Sequence, residues 1–223
     1  MITKLDWDSD FFNREIGRLD LGDKELFTFD ISNSSFESVY VFANGPISEL
    51  EKDENVFRDV KVTFKKPANK VKARTINLIR PFYSEQLKDL FFQSGSHSRF
   101  KLDPILNPNF QALYTRWMEN ALNGTFDNMI YATGFPEAPT SCLTLKTEPE
   151  ALRIGIIAVD ESARGKGIGT GLIDYASSKA HEFGYDSLIV STQERNKQAM
   201  RFYEKQGFTI WKKEYIYHIH KDV

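Results

Sequence analysis

Arg164-Gly165-Lys166-Gly167-Ile168-Gly169-Thr170-Gly171 places four of the chain's 13 glycines in eight positions. Glycines at that density let backbone N–H groups approach an anion, and a helix starting there adds partial positive charge. The flanks supply the rest of such a cradle. Leu152 to Val159 is a nearly continuous apolar run that reads as a central strand, and Asp160-Glu161-Ser162-Ala163 is a polar turn. Beyond the glycines, Ile168, Leu172, Ala176, Ala180 and Phe183 mark one helix face, with Gly184 placed as its C-terminal cap. Leu188 to Thr192 reads as the next strand. A dinucleotide fingerprint is not met, because the third glycine of G-x-G-x-x-G falls on Thr170 or Leu172. A P-loop is not met either, because Lys166 is followed by Gly167.

A second constellation follows about 30 residues on. Asn196, Ala199, Phe202, Tyr203, Gly207 and Phe208 fall in the order Asn-x-x-Ala-x-x-Phe-Tyr-x-x-x-Gly-Phe. With Arg164, Gly167 and Gly169 as Arg-x-x-Gly-x-Gly, the two motifs resemble the Gcn5-related N-acetyltransferase (GNAT) family. The resemblance implies an α/β GNAT fold, a mixed central sheet flanked by helices, and acetyl-CoA as cosubstrate without a metal. CoA would wedge where the strands ending near Val159 and Thr192 part, at their carboxyl ends. Backbone groups of Ile157, Ala158 and Val159 would meet the pantetheine arm, as would Asn196. Amides from Gly165, Lys166, Gly167, Ile168, Gly169 and Thr170 would hold the pyrophosphate, helped by Arg164 or Lys166. Aminolysis of a thioester needs a neutral amine, N–H donors for an oxyanion and a proton for the departing thiolate. An amide near Ala158 would serve the oxyanion. Tyr203, with an unperturbed pKa of about 10, would be the general acid. The base stays open among His97, Asp103 and a water chain.

Other residues resemble one subgroup of that family, the TDP-fucosamine acetyltransferases and their relatives in polysaccharide synthesis. They are Leu5 to Phe12, Ser98-Arg99-Phe100 with Asp103-Pro104, Leu113 to Ala121, and Gly124 to Asp127. This implies transfer of acetyl to the amine of a dTDP-linked 4-amino-4,6-dideoxyhexose, a small nucleotide sugar. Arg99 and Arg116 would then meet the diphosphate, since guanidinium forks suit phosphate. The glycine loop is closer to the general family pattern than the subgroup requires. Two further readings therefore stand beside the first: acetylation of another small-molecule or peptide amine, and a non-catalytic acyl-CoA-binding module.

The remaining chain must position these groups. Its 223 residues carry 29 basic and 31 acidic side chains, 41% hydrophobic residues and 18 Phe. That is a globular composition with a ring-rich core and no electrostatic case for nucleic acid. Cys142 is the only cysteine, no signal segment or apolar span of roughly 20 residues is visible, and a cytoplasmic location without membrane contact is expected. Lys65 to Lys72 reads as a linker between a smaller N-terminal α/β domain, residues 1–70, and the acetyltransferase domain, residues 74–223. Val39–Ala43, Val60–Phe64, Thr75–Ile79, Met129–Ala132 and Ser141–Leu145 read as strands. Ile47–Lys52, Tyr83–Gln93 and the run Phe110, Leu113, Tyr114, Trp117, Ala121 read as helices, the last capped by Asn107 or Asn109. His218 and His220 share one face of a strand, expected open, without a third metal ligand. The strand Tyr215–His220 offers an edge for a homodimer.

Overall fold

Period-two alternation and apolar runs collect into one nine-stranded mixed sheet. The structure, a computed structural model, describes residues 2–23, 31–69, 76–125 and 129–221. The strands are β1 (Thr3–Lys4), β2 (Ile16–Gly22), β3 (Ser38–Ala43), β4 (Phe57–Pro67), β5 (Met129–Phe135), β6 (Ala138–Thr147), β7 (Leu152–Val159), β8 (Ser187–Gln193) and β9 (Thr209–His220). Their order is β1-β2-β3-β9-β4-β8-β7-β6-β5. β2 with β3 and β7 with β8 are parallel, and the other neighbours are antiparallel. Strands from before residue 68 therefore share the sheet with the glycine-loop strands.

The helices are α1 (Asp6–Phe12), α2 (Ser48–Lys52), α3 (Glu85–Ser94), α4 (Arg99–Leu102), α5 (Phe110–Leu122), α6 (Ile168–Glu182) and α7 (Lys197–Lys205). Alternation along the strands sends their side chains to two faces. Tyr40, Phe42, Ile156 and Ile216 pack under α3 and α5, against Leu87, Phe91, Leu113 and Met118. Val62, Phe64, Leu152, Ile154 and Val190 pack on the opposite face against Leu172, Ile173 and Ala176 of α6 and Tyr203 of α7. A smaller cluster joins Val39, Val41 and Tyr217 to Ile47 and Leu50 of the α2 region. No helix among the described residues is long and apolar enough to cross a membrane.

Several expectations change. Lys65, Lys66 and Pro67 are strand residues, paired with Ile189, Leu188 and Ser187. Proline is tolerated there because its nitrogen faces the side where β9 has ended, past Lys65–Thr209, while Ala68 N–H still bonds Asp186 O at 2.9 Å on the β8 side. Residues 70–72 of that expected linker lie outside the described residues. The expected strand Thr75–Ile79 reduces to one bridge, Ile79 to Ala132, and Thr75 is not described. Asn107–Asn109 forms a 3-10 turn before α5, and neither side chain caps the helix. Phe183, placed on the buried face of α6, is 44% exposed. Tyr215–His220 is interior: it pairs with β3 along Ala43–Ser38 on one side, and up to His218 with β4 on the other. That edge is unavailable to a second copy.

His218 and His220 are buried, not on an open face: the Tyr40 and Phe57 rings of the neighbouring strands pack on His218, and Asp103 meets both. Asp103 lies at the end of α4, with Oδ2 at 2.5 Å from His218 Nδ1 and 3.0 Å from His220 Nε2. Burial pushes the His218 imidazole down to about 4, against the opposing pull of Asp103. Burial alone would raise Asp103, but its bonds to both imidazoles hold it well below the usual carboxylate range. For His218 the unfolded chain binds the proton more tightly, near pH 6.5, than the folded one. Its contribution to stability is thus complete above about pH 6.5 and is lost as the pH falls toward 4. Thermal midpoints recorded across that window should fall with pH, and His218→Asn should flatten the dependence.

Candidate active site

β7 and β8 pair only over Leu152–Ile154 and Leu188–Val190, then part. The cause is a bulge: between Leu143 and Leu145, β6 contributes Thr144 opposite both Gly155 and Ile156 of β7. The Thr144 hydroxyl accepts the Ile156 N–H at 2.7 Å. An extra residue bends its strand and increases the local twist. β8 keeps its pairing with β4 past that point, with Ser191, Thr192 and Gln193 opposite Thr63, Val62 and Lys61. A cleft of about 780 Å³ opens between the two strands and runs beneath α3, α4 and α5.

Which backbone groups face it follows from the ladder. Asp160 N–H bonds the Thr140 carbonyl at 2.8 Å, so alternate residues of β7 point toward β6. Ala158 therefore turns its amide to β6, whereas Ile157 and Val159 present theirs toward the gap left by β8. All three residues line the cleft. At its mouth, Gly165 and Gly167 adopt φ of +77° and +79°, a conformation that side chains disfavour. The first helical bond within α6 runs from Gly171 N–H to Gly167 O at 3.0 Å. The N–H groups of Ile168, Gly169 and Thr170 precede it and have no intrahelical acceptor. These three line the cleft with Gly165, Gly167 and Arg164.

The basic groups of the loop are arranged differently from expectation. The Arg164 guanidinium donates to Val159 O at 3.0 Å and Gln93 Oε1 at 3.2 Å, tying the loop to β7 and α3. Lys166 is not part of the lining, and its Nζ donates to Ser162 O at 3.2 Å. Asn196 caps α7, its Oδ1 accepting Ala199 N–H at 3.1 Å, and also lines the cleft. Tyr203 lies between Phe64, Phe202 and Phe208, with ring centroids 5.5–5.7 Å away. Burial drives its phenol far above the usual value, so the proton stays on oxygen at neutral pH.

The far wall comes from α4 and α5. Arg99, Phe100, Tyr114 and Trp117 line it, with His97 and Gln93. Phe110 is buried behind Tyr114, as a core ring. Arg116 is not brought here: it is exposed on α5, 3.7 Å from Glu119. Asp103 is not in the lining, and its contacts with both histidines remove it as a cleft base. The sequence did not mark Lys61, Ser191 or Asp59. Lys61 faces the cleft from β4 with Glu214 3.2 Å away, and burial lowers its pKa against that pairing. Asp59 is two positions back on the same face, and burial raises its carboxyl. Its Oδ1 accepts Val60 N–H at 3.0 Å and lies 3.3 Å from Arg195, while Oδ2 is buried without a hydrogen-bond partner among the described residues. Only a charge interrupting a strand alternation hinted at either.

The model of the acetyltransferase (GNAT) family matches residues 85–208. N-alpha-acetyltransferase 30 of Saccharomyces cerevisiae is 31% identical over 94 residues, 40% of this chain and 53% of that protein. The dTDP-fucosamine acetyltransferase of Escherichia coli is 30% identical over 129 residues, 56% of this chain and 54% of that protein. The chain thus spans about half the length of these relatives. A functionally unknown conserved protein of Staphylococcus epidermidis has the same fold, with TM-score 0.61 at 14% identity over 93% of this chain and 84% of that one.

Gly167→Ala should lower stability by about 1 kcal/mol and weaken acetyl-CoA binding, read by denaturant melts and calorimetry. Asn196→Ala should cost about 1 kcal/mol through the lost cap, in the same melts.

Proposed function

The chain belongs to the acetyltransferase (GNAT) family, and on that premise we propose that it moves acetyl from acetyl-CoA to the amine of a nucleotide-linked amino-dideoxy sugar. The acceptor would be dTDP-4-amino-4,6-dideoxygalactose or a close relative. One observation carries the reading: the parted β7 and β8 lead directly to a wall bearing Arg99, Phe100 and Trp117. That wall lies in segments that resemble the sugar-nucleotide subgroup. The Escherichia coli relative supports the same class.

The residues present suit acetyl-CoA. The outward-facing amide and carbonyl of Ile157 and the amide of Val159 have no β8 partner on that side, and an extended arm can complete them, while Arg164 Nε takes the Val159 carbonyl. When bound, acetyl-CoA supplies an acetyl thioester. The Ile157 or Val159 N–H then stands where developing negative charge on oxygen needs a donor. Tyr203 holds a proton that it can give to sulfur as the C–S bond breaks and the N–C bond forms. The amine's own proton leaves to a base; His97 in the cleft wall and Asp59 behind Lys61 are the groups proposed for it. Arg99 supplies a guanidinium whose buried Nε has no hydrogen-bond partner among the described residues, suited to a phosphate oxygen.

A second reading, acetylation of a peptide amine, is supported by the Saccharomyces cerevisiae relative. Thiol release from acetyl-CoA separates the two. Release with one isomer among 4-amino and 3-amino dTDP-dideoxyhexoses supports the first reading. Release only with peptides having a free N-terminus replaces it with the second. With the working acceptor, Tyr203→Phe should lower kcat by about 100-fold or more, while the acetyl-CoA Kd stays within about threefold. Equal loss of both would make Tyr203 a packing residue.

A further inference from the structure

Asp103 has no exposed side-chain surface, yet it is held as a carboxylate. Its Oδ2 accepts from His218 Nδ1 and His220 Nε2, and its Oδ1 accepts the Ile105 N–H at 2.9 Å. Each imidazole thus gives its single N–H to one oxygen. The second nitrogen of His220 is free to accept, and Ser38 Oγ lies 2.7 Å from it. Ser38 Oγ in turn accepts from Arg14 Nε at 2.6 Å. A continuous polar line therefore runs from Arg14 through β3 and β9 to the end of α4.

The anchored element needs such help. α4 is a single turn, Arg99–Leu102, and one turn does not hold itself in water. Asp103 closes it, its N–H donating to the Arg99 carbonyl at 2.8 Å. The same turn carries Arg99 and Phe100 into the cleft, with the guanidinium 4.3 Å from the Phe100 ring. Neither histidine nor Asp103 lines the cleft. An apolar contact would bury α4 equally well; hydrogen bonds add a fixed direction and register. We propose that Asp103, His218 and His220 are positioning residues that set Arg99 for the anionic group of the acceptor, an inference that rests on the nucleotide-sugar reading. Asp103 and the histidines also present three ligand atoms within 4.8 Å of one another, so a bound metal is the rival explanation. Protons alone account for the 2.5 and 3.0 Å spacings, which are those of hydrogen bonds.

The test uses the full chain carrying Asp103→Ala, with His220→Gln as the conservative partner that keeps a donor at the Nε2 position. Three quantities are read: deuterium exchange by segment, calorimetric Kd for dTDP and for acetyl-CoA, and metal content of the purified protein. Asp103→Ala should raise exchange over residues 98–106 and leave residues 168–205 unchanged. It should weaken dTDP by about tenfold and acetyl-CoA by less than about threefold. His220→Gln, with Asp103 in place to accept, should retain most of the wild-type dTDP affinity. The proposal is overturned if exchange rises across the chain and both ligands weaken together. It is equally overturned if dTDP affinity is unchanged, or if wild-type protein carries one metal per chain that Asp103→Ala loses. Should wild-type protein bind no dTDP, the nucleotide-sugar reading fails by itself. Exchange then decides the anchoring: a rise confined to residues 98–106 upholds it, and a general rise refutes it.

Discussion

The bulge at Gly155–Ile156 is the constraint on which the site depends. A regular β7 would stay paired with β8 to its end, and no cleft would exist. Two residues opposite Thr144, with the Thr144 hydroxyl taking the Ile156 N–H, turn the strand away and leave the Ile157 backbone and the Val159 N–H without a β8 partner, while Arg164 Nε takes the Val159 carbonyl. Unpaired groups in a sheet interior are unfavourable unless something completes them. In this fold that demand becomes a specific seat for an extended ligand. The glycine loop then turns the α6 amides toward the same cleft.

The second half of the sheet has a different task. β4 stays paired with β8 on the side opposite the cleft, so the break in pairing lies on the β7 side. β4 also brings Lys61 to the cleft, with Asp59 two positions back, and β9 brings the histidines that bond Asp103 at the end of α4. One wall of the site is thus built by backbone geometry and the other by buried charge. The backbone wall suits a ligand recognised by its amides. On the proposed function, the charged wall serves an acceptor recognised by its phosphate and amine.

Much of this was legible in the sequence where the signal was local. The spacing of Leu113, Trp117 and Ala121 and of Leu172, Ala176 and Ala180 marks α5 and α6, and the apolar run of β7 marks a central strand. Gly165, Gly167, Asn196 and Tyr203 were placed by two short motifs and do meet in one cleft. What failed was long-range or strand-polar. Asp103 meets His218 across 115 residues, a distance that periodicity does not reach. Lys65-Lys66-Pro67 looks like a linker because an edge-like composition is used at the end of a paired strand. Arg116 matched a subgroup pattern, but helix geometry turned it to solvent beside Glu119.

The most direct measurement is backbone deuterium exchange of the wild-type chain with and without acetyl-CoA, resolved to single peptides. The account predicts added protection at residues 157–159 and 165–170, with little change in β5 and β6. Protection confined to other segments, or none at saturating acetyl-CoA, would contradict the claim that the parted strands are the seat of the cosubstrate.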